Sequence, residues 1–310
     1  MDNESLDSAR LVVAVMPDVF RDDVFAMKGG TAINFFVQDM PRVSVDIDLA
    51  FRDHTAERAE VLAAIGEALR TIARRLATRG FAVRPIAVGP EGPCRLIVRR
   101  GDAQMKVEVN QVFRGTVLDP VRMSFAARSA ELFAADRTAL TLAIDELYGS
   151  KLVAAMDRQH PRDFFDVAQM YQARGLTDGA VECFVTYLAG HNRPVHELLS
   201  PQQVDLSDEY EQRGFSGMVD RPVDLDALKQ TQTRLFAELP RRLTEHHRAF
   251  LLSFVSGEPE WSRLLCTHAA GLPAIRWKLQ NLRMLARRNP EKFAAQRELL
   301  LKLFNRWDAN

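Results

Sequence analysis

The sequence predicts an α+β fold, with a mixed sheet and helices in an N-terminal domain and a helical domain after it. Three observations support this prediction. Segments in which apolar and polar residues alternate strictly, as in half-buried strands, lie before about residue 115. From about residue 141 the apolar residues follow helical spacing instead. The length of 310 residues suffices for two domains, which we place at residues 1–135 and 136–310.

The first part of the chain alternates between helices and strands. Helices are expected at about residues 1–20, 31–38 and 55–79, and strands at 24–30 and 42–51. The second strand alternates strictly between an apolar face of Val45, Ile47, Leu49 and Phe51 and a second face of Ser44, Asp46, Asp48 and Ala50. Two carboxylates therefore share one face of a strand whose other face is apolar.

The remaining strand signals predict one more strand and a hairpin. The strand is expected at residues 81–89, and the hairpin arms at 94–100 and 104–114 with glycine in the turn. In the second arm Lys106, Glu108 and Asn110 share one face. The β signal fades after about residue 115. Helices are predicted at 141–158 and 161–175, and mostly helix beyond, with loops near 190–222 and 256–273.

Composition excludes several classes of protein. The formal net charge is zero, so no overall field points to nucleic acid or membrane. No apolar run approaches the roughly 20 residues that span a bilayer, and the polar N-terminus does not resemble a secretory signal. The three cysteines, Cys94, Cys183 and Cys266, are too far apart for a zinc site and suit no disulfide framework. We therefore expect a cytoplasmic protein with no membrane contact.

Asp46 and Asp48 are the first candidate site. Side chains two residues apart on a strand point the same way, with their α-carbons roughly 6–7 Å apart. Two carboxylates at this spacing repel each other, and a divalent cation such as Mg²⁺ removes that cost. Glu108, on a neighbouring strand, has the position and facing of a third metal ligand. The alternative is a half-exposed strand whose aspartates simply face water.

Gly29, Gly30 and Thr31 form the second candidate site, because they follow a strand and precede a helix. Glycine allows backbone N–H groups to approach a phosphate closely, and a helix start favours anions. Thr31 is suited to cap the helix and to donate a hydroxyl to phosphate. The spacing matches neither the phosphate-loop nor the dinucleotide fingerprint, so an ordinary strand-to-helix turn is the alternative.

Two helices carry the third candidate site. Lys151 is suited to reach nucleotide phosphates as a point charge, or else it is a solvated lysine paired with Glu146. Asp163 lies in the first turn of the next helix, where it either caps the helix, orients Lys151 or acts as a base on the incoming hydroxyl. The sequence leaves these alternatives open.

The C-terminal stretch from Arg276 to Arg306 is basic. Positive residues outnumber negative ones there, and Trp277 and Trp307 lie in or beside it. A basic helical surface with aromatic side chains is suited to bind an RNA backbone. An amphipathic helix with a solvated face explains the same pattern, so both interpretations stay open.

Together these segments resemble a known family. "KGGTAINFF", "RVSVDIDLAF", "MKVEVNQVF", "ELYGSKLVAAMDRQHPRDFFDV" and the late "LPAIRWKLQNLRML" are similar to motifs of the AbiEii/AbiGii toxins, within the polymerase-β-type nucleotidyltransferase superfamily. The resemblance covers about residues 25–290. It implies a polymerase-β-like catalytic domain, completed by a helical domain that contributes to the nucleotide site and holds the acceptor.

The resemblance also implies roles for individual residues. Gly29, Gly30 and Thr31 match the phosphate-binding turn, Asp46 and Asp48 the metal ligands, Lys106 and Glu108 the charged strand of the second motif, and Lys151 and Asp163 the third and fourth motifs. Lys106 would thus contact the nucleotide. Aspartate is commoner in the family where Glu108 stands.

The function that the resemblance implies is that of a toxin in a toxin–antitoxin or phage-defence system. It would be a Mg²⁺-dependent enzyme that transfers NMP from an NTP to an acceptor such as the 3′ end of tRNA, releases pyrophosphate and blocks translation. A cognate antitoxin, often a winged-helix protein, is expected alongside. Nucleotide transfer to a protein or an antibiotic is one alternative, and a catalytically degenerate binding module is another.

Overall fold

The computed structural model describes residues 1–87, 92–207, 210 and 215–308. The chain divides into two compact units. The N-terminal unit comprises Met1–Leu147 and Arg213–Val223, and the C-terminal unit comprises Tyr148–Gln212 and Asp224–Asn310. The N-terminal unit therefore extends beyond residue 135, where we place the domain boundary from the sequence, and it takes in a short later segment.

A seven-stranded mixed sheet forms the centre of the N-terminal unit. Its strands are β1 (Phe25–Lys28), β2 (Asp46–Phe51), β3 (Ala82–Ala87), β4 (Pro93–Arg100), β5 (Ala103–Val109), β6 (Val121–Ser124) and β7 (Thr138–Thr141). The spatial order is β3-β4-β5-β2-β1-β7-β6. The pairs β2–β5 and β1–β7 are parallel and the other neighbours antiparallel. The two predicted carboxylate-bearing strands are thus adjacent.

Helices α1 (Asn3–Val19) and α3 (Arg58–Thr78) pack against the sheet and each other. The alternation predicted for β2 and β5 is the physical reason for this arrangement. Ile47, Leu49 and Val107 are completely buried on one side of the sheet. On the other side Asp46, Asp48, Lys106 and Glu108 are charged and partly or fully exposed, so the apolar face supplies the packing and these charges remain accessible.

The strand β1 leads directly into a helical segment. Helix α2 (Gly29–Ala32) continues without a break into a π-helical turn at Ile33–Val37. In that turn the N–H of Gln38 donates to the carbonyl of Ile33 at 2.7 Å, which is the five-residue spacing of a π-helix. The predicted helix at residues 31–38 is therefore present, but it begins at Gly29.

Two short strands were missed. We expected the β signal to end near residue 115, and this was wrong because β6 and β7 complete one side of the sheet. Each strand has only four residues, too few to show a two-residue period. Between them, α4 spans Ala127–Phe133. The predicted strand at residues 81–89 corresponds to β3, although Val88 and Gly89 lie outside the described residues.

The C-terminal unit is helical in its described parts. The helices after the sheet are α5 (Ile144–Arg158), α6 (Pro161–Ala173), α7 (Asp178–Gly190), α8 (Val195–Leu199), α9 (Phe215–Met218), α10 (Leu225–Arg241), α11 (Glu245–Val255), α12 (Pro273–Arg288) and α13 (Pro290–Asp308). Helix α5 begins in the N-terminal unit, to which α9 also belongs. The predicted loop at 190–222 contains the short helices α8 and α9, and parts of it (residues 208–209 and 211–214) lie outside the described residues. The loop at 256–273 contains two short 3₁₀ turns.

A helix that crosses a bilayer must be both long and apolar, and the described helices differ from this pattern. None of them combines the length and the apolar character that a membrane span requires.

Candidate nucleotidyltransferase site

The glycine turn lies directly against one of the paired aspartates. Gly29 has a backbone φ of +77°, a left-handed conformation that residues with a side chain rarely adopt. A Cβ atom added to Gly29 would overlap the Asp48 carboxylate. Glycine is therefore required here both for its conformation and for the close approach of Asp48. The two separate sequence signals thus meet in one place.

A buried arginine lies behind the second glycine. A Cβ atom on Gly30 would come within 2.7 Å of the Arg42 guanidinium and 3.1 Å of the Ser44 hydroxyl. Arg42 is only 3% exposed, and its Nη1 donates to the carbonyl of Val43 at 3.0 Å. The turn therefore has a fixed positive charge beside it. Sequence reasoning missed Arg42, and the signal was an arginine four residues before the Asp-x-Asp pair.

Thr31 fixes the turn to strand β2. Its buried hydroxyl donates a hydrogen bond to the main-chain carbonyl of Asp46. The side-chain amide of Asn34 donates to the carbonyl of Gly30 at 2.9 Å from the next helical turn. In this structure the Thr31 hydroxyl therefore holds the turn against β2, and its bond to a phosphate remains a prediction. The predicted capping role of Thr31 is wrong, because the cap position is Lys28 and no side chain caps the helix.

Asp46 and Asp48 share the charged face of β2 and are both partly exposed. One Asp46 carboxylate oxygen accepts a hydrogen bond from the main-chain N–H of Lys106 at 3.2 Å. In the parallel pairing with β5, Asp46 lies opposite Lys106 and Asp48 lies opposite Glu108. The structure thus brings together all four charged residues that the sequence singled out on these two strands.

Glu108 has a cationic partner of its own. Arg95 on β4 binds it with two hydrogen bonds, from Nε at 3.0 Å and from Nη2 at 2.6 Å. Both side chains remain well exposed. Hydrogen bonding to Glu108 raises the pKa of Arg95. Because this ion pair already satisfies the carboxylate, the role of Glu108 as third metal ligand remains a prediction.

The donor set fits a cation that takes few protein ligands. In the part of the chain that the structure describes, no three His, Cys, Asp or Glu side chains cluster closely enough to hold a metal. Mg²⁺, however, is commonly held by one or two carboxylates with substrate phosphates and water completing its shell. Asp46 and Asp48 supply those two carboxylates, and the Gly29–Thr31 turn lies beside them.

The C-terminal unit contains a charge cluster built around two buried carboxylates. The Lys151 ammonium lies 3.0 Å from Asp163 and 2.9 Å from Asp166. Both carboxylates are completely buried and the lysine is 7% exposed. The alternative of a solvated Lys151 paired with Glu146 is therefore wrong, because Glu146 is buried elsewhere and accepts the N–H groups of residues 117 and 118.

Asp163 also binds Arg158, whose Nε and Nη2 donate to its two oxygens at 2.6 and 2.8 Å. Burial by itself raises the pKa of Asp163, but the charges and hydrogen bonds of Lys151 and Arg158 outweigh burial and lower the pKa. The carboxylate is thus ionised, completely buried and bound by two cations. Asp163 therefore has no exposed oxygen with which to take a proton from an acceptor, and its role toward Lys151 remains a prediction.

Asp163 does not cap its helix. The cap is His160, whose ring accepts the N–H of Arg162 at 3.2 Å. Sequence reasoning missed Arg158 and Asp166 as members of the cluster. Their spacing was the available signal, because Arg158 is seven residues after Lys151 and Asp166 three residues after Asp163, which places each pair on one helix face.

Part of the basic C-terminal stretch is structural. Lys278 is buried, and its ammonium donates to the carbonyls of Asn192 and Arg193 at 2.9 and 2.8 Å. Burial lowers its pKa to about 8. Lys278 therefore joins α12 to the segment before α8 and does not belong to an exposed basic surface.

Comparisons with known proteins agree with this geometry. Residues 10–281 match the family model described as nucleotidyl transferase AbiEii toxin, type IV TA system. Among solved structures, the fold resembles MenT4, a nucleotidyltransferase toxin from Mycobacterium tuberculosis H37Rv, with a TM-score of 0.60 and 17% sequence identity over 92% of this chain and 94% of that chain. No curated protein sequence matches. The predicted fold class is confirmed, and the chain belongs to the AbiEii family of nucleotidyltransferase toxins of type IV toxin–antitoxin systems.

Proposed function

We propose that this toxin is Mg²⁺-dependent, transfers NMP from an NTP to the 3′ end of tRNA and thereby blocks translation. The observation that carries the proposal is the contact between the Gly29 turn and the Asp48 carboxylate, with Asp46 on the same face of β2. A glycine turn at a helix start next to two carboxylates is suited to an NTP that brings its own metal.

The nucleotide end of the site is built from the turn and the residues around it. Backbone N–H groups at Gly29 and Gly30 are the proposed donors to the triphosphate, and Arg42 supplies a positive charge beside them. Thr31 keeps the turn at a fixed distance from β2 through its bond to Asp46. Lys106, opposite Asp46 on β5, is an exposed cation that we also assign to the nucleotide.

Mg²⁺, when bound to Asp46 and Asp48, would offset their mutual repulsion and neutralise charge on the phosphate oxygens. In the transfer, an acceptor hydroxyl oxygen forms a bond to the α-phosphorus. The bond from the α-phosphorus to the oxygen that bridges to the β-phosphorus breaks, and pyrophosphate leaves with that electron pair. The hydroxyl proton passes to a base other than Asp163, which is buried and already bound by Lys151 and Arg158.

Lys151 is the proposed phosphate ligand of the C-terminal unit. Asp163 and Asp166 hold its ammonium from two sides, which lowers the entropy cost of presenting a flexible lysine. Asp163 is accordingly a positioning residue. A Lys151→Met variant tests the assignment, because loss of a phosphate ligand raises the KM for NTP and lowers kcat, whereas a purely structural lysine changes only stability.

The acceptor and the partner follow from the toxin class. Nucleotide addition to the 3′ end of tRNA would prevent aminoacylation and stop growth, which suits a toxin in phage defence. Membership of a type IV toxin–antitoxin family implies an antitoxin. We propose that it is a winged-helix protein and that toxin, antitoxin and tRNA meet in the cytoplasm.

The test is a labelling experiment with the purified protein. Each of the four α-labelled NTPs is incubated in turn with tRNA and lysate protein, with Mg²⁺ or with a chelator. We expect label in tRNA that disappears with the chelator and in Asp46→Asn, but not in the matched control Asp53→Asn, which alters an exposed carboxylate just after the same strand. Label found only in protein or in a small molecule would refute the tRNA acceptor.

Alanine variants of the two strand aspartates decide between catalysis and simple binding as the cause of toxicity. We expect Asp46→Ala and Asp48→Ala to abolish growth inhibition by the expressed toxin. Growth inhibition that persists in both variants would exclude catalysis as its cause and would favour a binding module.

A further inference from the structure

The exposed side of α12 has an unusual composition. We name as the basic face the residues Arg276, Trp277, Arg283, Met284, Arg287 and Arg288, all of them exposed. We propose that the basic face docks the RNA acceptor, with arginines on phosphates and Trp277 stacked on a base. This inference rests on the proposed transfer to RNA and adds the surface that holds that RNA.

Helical geometry places these residues together. At about 100° per residue they fall within an arc of about 140° around the helix axis, and Arg276 and Arg287 are about 16 Å apart along it. The opposite side of the helix contains the buried residues Ile275, Lys278 and Leu282. The basic face is therefore one continuous stripe and not a set of scattered charges.

The charge of the stripe is not offset within the helix. The 16 residues of α12 include five positive side chains and no aspartate or glutamate. Of the five, Lys278 is buried and Arg283 donates through Nε to the carbonyl of Gly257 at 3.2 Å. Arg276, Arg287 and Arg288 form no ion pair with any carboxylate in the described parts of the chain. In a protein of zero formal net charge this is a local positive surface suited to a polyanion.

Helix stability accounts for only part of this pattern. Arg287 and Arg288 lie in the last turn, where positive charge is favoured by the helix dipole. Arg276 lies near the N-terminal end, where the dipole disfavours positive charge, and the first turn has no acidic residue to compensate. A requirement outside the helix therefore explains Arg276 better than helix capping does.

The aromatic residue indicates nucleic acid more specifically than the charges do. Trp277 is 60% exposed and Met284, seven residues later on the same side, is 38% exposed. An aromatic platform between cations is typical of surfaces that bind single-stranded nucleic acid, where bases stack and arginines contact the backbone. The apolar stripe of α12 is already buried, so the helix has no hydrophobic face left to insert into a bilayer.

The experiment measures RNA binding and nucleotide transfer separately. The variants are Trp277→Ala and the double variant Arg287→Glu/Arg288→Glu. The matched control is Arg70→Glu/Arg74→Glu on α3, an equal charge change at exposed arginines of the other unit. Fluorescence anisotropy with labelled tRNA gives Kd, and the transfer assay gives KM and kcat for RNA. Thermal unfolding checks that each variant is folded.

We expect the double variant to raise the Kd and KM for RNA at least about tenfold and to reduce the slope of log Kd against log salt by about 2. Trp277→Ala is expected to raise Kd about tenfold with an unchanged salt slope, because stacking is lost and charge is not. The KM for NTP and the kcat at saturating RNA should stay at the wild-type values in both.

The failures of the two proposals are distinguishable. If the wild type binds RNA through α12 but transfers no nucleotide to it, the proposed function is wrong and the docking surface stands. If the wild type labels RNA while both α12 variants match the control in Kd and KM, the docking surface is refuted. Loss of antitoxin neutralisation with unchanged RNA binding would also refute it and would assign α12 to a protein partner.

Discussion

The two units each contain a pair of neighbouring aspartates, and the pairs have opposite environments. Asp46 and Asp48 on β2 are partly exposed, lie side by side and adjoin a glycine turn. Asp163 and Asp166 on α6 are completely buried and hold Lys151 between them. The comparison shows that the same residue type supplies partly exposed carboxylates in one unit and the buried counter-charges of a lysine in the other.

The difference has a simple electrostatic origin. A buried carboxylate is tolerated only when cations and hydrogen bonds compensate for lost hydration, and Asp163 has both from Lys151 and Arg158. Partly exposed carboxylates keep much of their hydration, so Asp46 and Asp48 do not need a protein cation of this kind. Substitution should therefore damage activity in the first pair and stability in the second.

The largest expected effect is on catalysis by the exposed pair. Asp46→Asn or Asp48→Asn should lower the rate of NMP transfer by about 10³-fold or more, because a bound metal contributes several kcal/mol to transition-state stabilisation. For Asp46→Asn the free energy of unfolding should stay the same or rise slightly, since one of two repelling charges is removed. Transfer kinetics and chemical denaturation measure the two quantities, with Asp53→Asn as the control. If the variants lost activity only because they unfold, the assignment of Asp46 and Asp48 as metal ligands would be wrong.

The next effect is on the stability of the buried cluster. Asp163→Asn should lower the free energy of unfolding by about 3–5 kcal/mol, because Lys151 loses a buried counter-charge. Denaturant titration of the purified protein measures this value. Asp178→Asn is a matched control, since its ion pair with Arg242 involves a 97% exposed aspartate and should be worth at most about 1 kcal/mol. Equal effects of the two substitutions would show that the buried cluster contributes little.

Glu108 lies between the two cases, because it adjoins Asp48 but is bound by Arg95. We expect Glu108→Gln to lower transfer about 10- to 100-fold, as is typical when a group that supports a metal site is lost. Arg95→Gln should cost much less, since it removes the ion pair and leaves the carboxylate. Steady-state kinetics at several Mg²⁺ concentrations separate these outcomes. Equally small losses in both variants would make Glu108 only the partner of Arg95.

The smallest effect is a pH dependence of stability that comes from Asp163. The pKa of Asp163 in the folded protein is lower than in the unfolded chain, because Lys151 and Arg158 outweigh the effect of burial. Its contribution to stability is therefore complete above the unfolded-state pKa of about 3.9 and is lost as pH falls through the folded-state pKa. The difference in unfolding free energy between wild type and Asp163→Asn should be constant from pH 5 to 7, by this argument, and should shrink in more acidic solution.

Unfolding measured over that pH range in both proteins provides the check. A difference that grows as the solution becomes more acidic would contradict the depressed pKa.

Local patterns were sufficient for the site on β2 and β5. The two-residue period of β2 and β5 placed Asp46, Asp48, Lys106 and Glu108 on one face, because strand geometry depends only on neighbouring residues. The glycine turn was found because the glycines follow a strand and precede a helix, and the left-handed conformation of Gly29 explains why glycine stands there. The strands β6 and β7 were not found, because four residues that obtain their hydrogen bonds from distant strands carry little local signal.

Local patterns were not sufficient for the cluster around Lys151. From the sequence, two alternatives stayed open for Lys151: a lysine that reaches nucleotide phosphates and a solvated lysine paired with Glu146. Packing of α5 and α6 within the fold decided for Asp163 and Asp166 instead. In the same way Lys278 belongs to the basic stretch in the sequence but is buried, because two main-chain carbonyls compensate for its charge.

The sequence by itself determined the fold class, the family and the residues of the glycine turn and the Asp-x-Asp strand, since these depend on short-range geometry and on motif order. Only the tertiary structure showed that Asp48 touches Gly29, that Arg95 binds Glu108 and that Asp163 is a buried partner of Lys151. Burial and ion pairing depend on residues that are remote in the chain, and these two properties decide whether an aspartate meets a ligand or supports a neighbour.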